Sequence, residues 1–477
     1  MELHLVIEGG RDLAGQLFRQ LRAAIREGRL AAGERLPPSR LLAEQLGLSR
    51  KTVTEAYARL SDEGLTEGQV GQGTFVRAEH SKPSTPRRSE ELAGAAVVEQ
   101  WRSMVTPLRH LGPDGSARFE YIGGATQRSL FPHEDWRRCM LYALRQQQGG
   151  RALYGQAEGL PVLRQAIVRH IAYRRGIGCE VDGLIVTNGA QQALDLIARV
   201  LVAPGSTVAV EEPGYPPARL LFQAQGARVV GIPVDDEGMR VEAIPDGTRL
   251  IYLTPAHQFP LGMPMSHARR LALLARAFEL GAIVIEDDYD SEFRYEGRPT
   301  DTLYKLDTHG LVAYVGTFSK SLSPELRLGY LIAPPAILAA VGAAKHLSDW
   351  HSPTLNQLAL AKFIDDGYLA KHIRRCHAAY ASRRQRLVQR LAGDLSPWFT
   401  HIPIQAGFHL AAYTRTEVDI PQLLTLARRL EVGLYALSGF YGCSTPRPGL
   451  FFGFGAIDTL DIDPSLDRVR DILKQMD

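Results

Sequence analysis

Two hydrophobic periodicities run along the chain, and the change from one to the other divides it. Near the N-terminus Leu13, Leu17, Leu21 and Ile25 recur at helical spacing and stop at Glu27-Gly28, which predicts an amphipathic helix. Leu41-Leu42-Ala43-Glu44-Gln45-Leu46-Gly47 predicts a second, shorter helix, with Ser39 placed to cap it and Gly47 to end it. Ser49 is set to cap a third helix, whose apolar face is Val53, Ala56, Tyr57 and Leu60. Gln69-Val70-Gly71-Gln72-Gly73-Thr74-Phe75-Val76 then alternates around glycines, as a small hairpin or wing does. Two short helices on a tight turn at Gly47 form the helix-turn-helix pattern.

Residues 78–115 lose the pattern. Ser81-Lys82-Pro83-Ser84-Thr85-Pro86-Arg87-Arg88-Ser89 is polar, basic and punctuated by proline, which fits an exposed tether. A short helix is expected within residues 91–108 on the way out.

From residue 116 onward strands and helices alternate, which predicts an α/β architecture with a largely parallel sheet. Leu184-Ile185-Val186-Thr187 runs into Asn188-Gly189-Ala190-Gln191 and a helix, where backbone amides and the helix dipole favour an anion. Val208-Ala209-Val210 delivers Tyr215 after a Pro-Gly bend, and Leu250-Ile251-Tyr252-Leu253 leads to His257-Gln258. Ala282-Ile283-Val284-Ile285 runs into Glu286-Asp287-Asp288-Tyr289-Asp290. Ligands in open α/β sheets bind at such carboxyl ends, so these points are expected to converge.

The stretch that organises the rest follows Leu311-Val312-Ala313-Tyr314-Val315. It reads Gly316-Thr317-Phe318-Ser319-Lys320-Ser321-Leu322-Ser323, with Arg327 seven residues after Lys320. The hydroxyls and Arg327 suit a phosphate, and a partly desolvated lysine becomes an amine that forms Schiff bases. Taken alone, the stretch also reads as a surface loop with one solvated lysine, and the acidic run as a solvated turn or metal site. Together the strand ends match what pyridoxal phosphate requires. Lys320 would take the aldehyde and is the candidate catalytic residue. Asp287 would face the ring nitrogen, Tyr215 would stack, and Tyr289 with His257 or Gln258 would meet the ring oxygen. Gly189, Ala190, Gln191, Thr317 and Arg327 would cradle the phosphate.

Composition narrows the class without naming it. At 477 residues, 45% hydrophobic and 22% charged, two or three globular domains are expected. No apolar run reaches membrane-span length, and a cytoplasmic location is expected. Cys139, Cys179, Cys376 and Cys443 lack metal-binding spacing and are expected to be reduced; the histidines are scattered and no metal is expected. A net charge of +3 implies nucleic acid only through a local patch, and residues 35–59 supply one. There Arg35, Arg40, Arg50, Lys51 and Arg59 oppose only Glu44 and Glu55. Arg50, Lys51, Thr52 and Thr54 begin the third helix, where a recognition helix meets base edges, while Ser39 and Arg40 fit phosphate contacts. A small helical interaction domain with a solvated face is the plainer alternative.

Residues 11–77 resemble the winged helix of GntR-family bacterial repressors, through Leu36-Pro37-Pro38-Ser39-Arg40, Leu46-Gly47-Leu48-Ser49-Arg50-Lys51-Thr52-Val53 and Gly71-Gln72-Gly73-Thr74-Phe75-Val76. The resemblance adds Arg35, Ser49 and Gly73 to the expected DNA-contacting set. From about residue 118 the chain resembles fold-type-I aminotransferases, with a large domain at about 150–350 and a small one at 351–477 plus 116–149. The motif order matches the MocR/GabR subfamily, which joins the two parts. Glu286-Asp287-Asp288-Tyr289-Asp290-Ser291-Glu292-Phe293-Arg294-Tyr295 and Gly316-Thr317-Phe318-Ser319-Lys320 are near-signature strings of it. That likeness implies a transcription factor that binds double-stranded promoter DNA and holds pyridoxal phosphate as a Schiff base on Lys320. It also implies a homodimer in which Tyr154 reaches the neighbouring subunit's cofactor phosphate. A working aminotransferase with an accessory DNA-binding domain is the alternative. The chain departs from the aminotransferase pattern at Phe451, where the substrate-carboxylate arginine would fall. It departs again at Pro217, where the GABA-sensing branch has its second arginine, with Arg219 nearby as a substitute. Leu261 stands where relatives carry a small hydroxyl residue. The expected effector is therefore pyridoxal phosphate itself or an amine lacking that carboxylate.

Overall fold

The computed structural model describes residues 5–69, 71–77, 95–104, 117–148, 154–297 and 301–476. The chain divides into two compact units, Met1–Ala96 and Val97–Asp477.

In the first unit, α1 (Leu13–Arg26), α2 (Ser39–Leu46) and α3 (Arg50–Asp62) precede the hairpin of β1 (Thr66–Gln69) and β2 (Gly73–Val76). Leu17, Leu21, Leu42, Val53, Ala56 and Leu60 close one small core. Gly47 ends α2 with φ 63°, a left-handed turn that suits a residue without Cβ. Ser49 caps α3 by accepting from the Thr52 amide at 3.1 Å. Ser39 does not cap α2. It is the helix's first residue, and Pro38 holds the cap position with no side-chain hydrogen bond, since its ring pre-sets the entry angle. The tether at residues 78–94 and 105–116 lies outside the described residues; between its two parts, Ala95–Ser103 is helical.

In the second unit, β3 (Phe119–Glu120) pairs with a strand far along the chain. An eight-stranded sheet follows, built from β4 (Leu184–Thr187), β5 (Thr207–Glu212), β6 (Arg228–Asp235), β7 (Gly238–Met239), β8 (Thr248–Leu253), β9 (Ile283–Asp288), β10 (Val312–Thr317) and β11 (Gly329–Ile332). Its order is β4-β11-β10-β9-β8-β5-β6-β7. The run from β10 through β9, β8 and β5 to β6 is parallel, and β11 lies antiparallel between β10 and β4. The carboxyl ends of β4, β5, β8, β9 and β10 therefore share one edge. Helices cover both faces, which is why these strands read as near-continuous apolar runs: Ile185, Val210, Leu250, Ile285 and Val315 face one core, Ala209, Ile251 and Val284 another.

A smaller antiparallel sheet contains β12 (Phe399–His401), β13 (His409–Thr414), β15 (Tyr435–Ala436) and β16 (Gly449–Gly453), in the order β12-β13-β16-β15. The strand β14 (Val432–Gly433) pairs in parallel with β3, tying the start of this unit to its C-terminal part. The helix His133–Gln146 packs against Thr354–Asp365, which also packs on Pro161–Arg175, so this trio sits with the large sheet.

Candidate functional site

The shared edge of the large sheet carries a cavity of about 460 Å³. Four of these strand ends deliver much of its polar lining. Lys320 and Thr317 come after and at the end of β10, Asp287 from β9, Tyr215 from the turn after β5, and Ala190 and Gln191 from the helix that follows β4. Tyr289 and Arg327 complete that set.

Asp287 carries the strongest signal. It is buried, Tyr252 donates to its Oδ2 at 2.9 Å, and its Oδ1 has no hydrogen-bond partner among the described residues. A buried carboxylate oxygen left in this way calls for a donor from the cavity. The other acids of the run make their contacts away from the cavity, although Asp288 Oδ1 also has no hydrogen-bond partner among the described residues. Glu286 accepts the Leu303 and Tyr304 amides at 3.0 and 2.8 Å. Asp288 pairs with Arg175 at 2.7 Å and accepts from Tyr314, and Asp290 binds His257 Nδ1 at 2.9 Å. Of the four acids only Asp287 lines the cavity.

Lys320 lies in the turn between β10 and β11, three residues beyond the strand, and its Nζ donates to the Gly124 carbonyl at 2.8 Å. At the open rim Arg327 is exposed and has a left-handed backbone, φ 50°, which turns its Nη2 onto the Asn188 carbonyl at 2.9 Å. A Cβ on Gly189 would come 2.9 Å from that guanidinium, so the glycine turn and Arg327 form one cradle. Asn188 and Gln192 are in turn held by Asp349, at 2.6 and 2.8 Å, and Lys345 neutralises Asp349 at 2.7 Å. Cationic Arg327, the helix N-terminus at Ala190 and the Thr317 and Ser319 hydroxyls suit a phosphate. The donor set fits pyridoxal phosphate, which when bound supplies an electron sink for chemistry at an amine.

Two expected contacts, those of Gln258 and His257, fall elsewhere. Gln258 spends its amide on the Pro213 and Phe259 carbonyls and the Leu261 amide. His257 turns its Nδ1 to Asp290 and does not line the cavity. Tyr289 donates to the His257 carbonyl at 2.8 Å, so His257 positions Tyr289 through its backbone. Tyr154 is 74% exposed and packs on Trp350, away from its own chain's cavity. The histidines are also less scattered than their spacing implies. His257, Asp290 and His409 bring donor atoms within 4.8 Å of one another, but the two imidazole rings lie against each other at 4.2 Å. Sequence reasoning missed Tyr252, whose signal is a phenol in a fully buried apolar strand, where its hydroxyl needs a partner. It missed Asp349 because nothing local marks it.

Burial pushes the Asp287 carboxyl up to about 7, against the lowering effect of the Tyr252 hydrogen bond. Loss of water likewise lowers Lys320, which Asp290 and Asp287 partly offset. A carboxyl held above its unfolded value favours folding while neutral, and that contribution is lost as pH rises from about 4 to about 7. Above pH 7 the cofactor-free site holds a buried, unpaired carboxylate that a protonated ring nitrogen would satisfy, and the Lys320 amine is freer of its proton. Loading is therefore expected to tighten by about tenfold between pH 6 and pH 8. Absorbance titration with pyridoxal phosphate measures this, and weaker loading at pH 8 would contradict both assignments.

In the first unit, Arg40, Arg50 and Lys51 are exposed and make no ion pair among the described residues. Arg59 does not add to that patch, because Glu55 takes it at 2.7 Å. Ser49 and Thr52 pair their hydroxyls at 2.8 Å, and Thr54 donates to the Arg50 carbonyl, so these three mainly fix the start of α3. Arg35 lies over the wing, where a Cβ on Gly73 would meet its Nε at 2.7 Å.

The fold and cavity thus define a pyridoxal-phosphate protein of the aminotransferase class, carrying a winged helix-turn-helix. Comparison with known proteins agrees. Residues 124–438 match the family model "Aminotransferase class I and II", and residues 13–76 match "Bacterial regulatory proteins, gntR family". The chain is 36% identical over 460 residues to the probable rhizopine catabolism regulatory protein MocR of Rhizobium meliloti, covering 95% of this chain and 92% of that one. It is 32% identical over 444 residues to the pyridoxine biosynthesis transcriptional regulator PdxR of Corynebacterium glutamicum, covering 93% and 92%. Among solved structures, kynurenine aminotransferase of Pyrococcus horikoshii superposes with a TM-score of 0.70 at 27% identity, over 82% of this chain and 97% of that one. The chain belongs to the MocR/GabR-type transcriptional regulators of the GntR family. It is a DNA-binding regulator that uses pyridoxal phosphate. No helix among the described residues is long and apolar enough to cross a membrane.

Proposed function

We propose that pyridoxal phosphate held covalently by Lys320 sets the DNA affinity of this regulator. The observation that carries the reading is the convergence of Lys320 and Asp287, from neighbouring strands, on one cavity in which Asp287 Oδ1 lacks a partner. Asp287 would hold the ring nitrogen, Tyr215 would stack on the ring, and Tyr289 would meet the ring oxygen. Gly189, Ala190, Gln191, Thr317 and Arg327 hold the phosphate. The DNA contacts fall to Arg50 and Lys51 at the start of α3, with Arg35, Ser39 and Arg40 on phosphates and Gly73 at the wing. Residues 1–77 are the DNA-binding domain, 78–115 the tether and 116–477 the effector domain. The effector domain forms a homodimer, which the exposed Tyr154-Trp350 pair supports, and Tyr154 serves the partner's cavity.

The test is binding of the purified protein to its own gene's upstream DNA, with and without loaded pyridoxal phosphate. Loading is expected to change the apparent Kd by at least about fivefold, the lower end of ordinary allosteric coupling. Tight binding indifferent to loading would refute the cofactor as signal. A second reading, in which the loaded site senses an amine, is favoured by the composition of the cavity's aromatic lining.

A further inference from the structure

The cavity has two unlike halves. Lys320, Asp287 and Arg327 belong to the half just described. A second part of the lining, which begins where Phe259 packs on Tyr215 and Tyr289, includes Ile122, Phe259, Phe408, His409, Phe440 and Phe451. The Phe451 ring lies 4.9 Å from the His409 ring, 5.1 Å from Phe440 and 5.6 Å from Phe259, and is almost fully buried. It also rests on Gly123, where an added Cβ would come 2.6 Å from the ring. This part of the lining is mostly aromatic and carries no formal charge.

Every nearby cation is committed. Among the described residues, the only lysine and arginine lining the cavity are Lys320 and Arg327, and Arg327 stands at the rim beside Gly189. Arg219 does not line the cavity. It lies 3.8 Å from Glu212 Oε2, while Glu212 Oε1 takes the amides of Gly442, Cys443 and Ser444. His409 remains, but burial and its neighbour His257 hold it well below the ordinary histidine range, so it is neutral near pH 7. A carboxylate entering this half would lose its water and gain no charged donor, whereas an apolar group gains burial against four phenylalanine rings.

We infer that the effector read by this site is a primary amine bearing an aromatic or branched apolar group and no α-carboxylate. The inference rests on the reading that Lys320 holds pyridoxal phosphate, and it names the ligand class that the aromatic lining accepts. The amine end lies toward Lys320, and the apolar end lies against the packed rings of Phe259, Phe440 and Phe451.

The discriminating probes are 2-phenylethylamine and L-phenylalanine, which differ only in the carboxylate. Each is titrated into the full-length, cofactor-loaded protein, and binding is read both by the visible absorption and by affinity for the upstream DNA. The amine is expected to half-saturate at a concentration at least about tenfold lower than the amino acid. Phe451→Arg, which supplies a guanidinium to the wall, is expected to reverse that order. Equal or tighter binding of L-phenylalanine by the unaltered protein would overturn the inference, as would no response to either probe. The wild-type ratio decides the matter should the variant not fold. Failure of the protein to load pyridoxal phosphate would instead defeat the underlying reading, and the absorption spectrum before titration separates the two.

Discussion

Replacing Lys320 by alanine is expected to abolish the response to pyridoxal phosphate while leaving the fold intact. The side chain makes a single described hydrogen bond, to the Gly124 carbonyl, and borders an existing cavity. Truncation removes a partly buried amine whose charged neighbours, Asp287 and Asp290, keep their own hydrogen bonds to Tyr252 and His257. The stability of the cofactor-free variant is expected to stay within about 1 kcal/mol of the parent, as for substitutions that leave no unpaired group. Loading should change far more. With the covalent hold gone, only the ring and phosphate contacts remain, and apparent affinity is expected to fall by about 100-fold or more, roughly 3 kcal/mol. DNA binding should persist but become indifferent to the cofactor. Equilibrium dialysis and a DNA-shift titration on the same sample give both numbers. Unchanged regulation in Lys320→Ala would mean that the effector domain is architectural.

The second large effect belongs to Arg50→Ala. Arg50 opens α3 and is exposed, and its guanidinium has no ion-pair partner among the described residues. That position presents it outward from the start of the expected recognition helix. Loss of one such contact is expected to weaken site-specific DNA binding by about 1–3 kcal/mol if it reads a base. If Arg50 meets a phosphate instead, binding should weaken evenly across sequences and the salt slope should fall by about 1. Either way the cofactor spectrum should be unchanged, because every residue of the cavity lies in the other unit. Normal operator affinity would remove Arg50 from the interface.

What the sequence made legible was local. The α1 stripe of Leu17 and Leu21, the left-handed stop at Gly47 and the Ser49 cap each follow from a few neighbouring residues, and each is present. The parallel sheet was legible because strands buried on both faces leave apolar runs, and its strand ends named Lys320, Asp287, Tyr215 and Ala190. Contacts set by distant partners were not legible. The amide of Gln258 looks available in sequence, but the turn it sits in uses all of it on backbone groups. Asn188 depends on Asp349, 161 positions away, a pairing that only the folded sheet brings about. Arg219 offered itself as a substitute carboxylate partner until Glu212 was found against it. Ser39 was one residue out, because Pro38 starts the helix by ring geometry instead of a side-chain hydrogen bond.

Lys320 and Arg327 sit on one short turn between β10 and β11, seven positions apart. A ligand that meets both is bivalent, and the first contact fixes the effective concentration of the second. On the proposed roles of these two residues, the turn would behave as a coincidence detector. An aldehyde without a phosphate, or a phosphate without an aldehyde, engages one arm and forfeits the gain from linkage. Selectivity against lone phosphates and lone aldehydes would then follow from the length of a single loop.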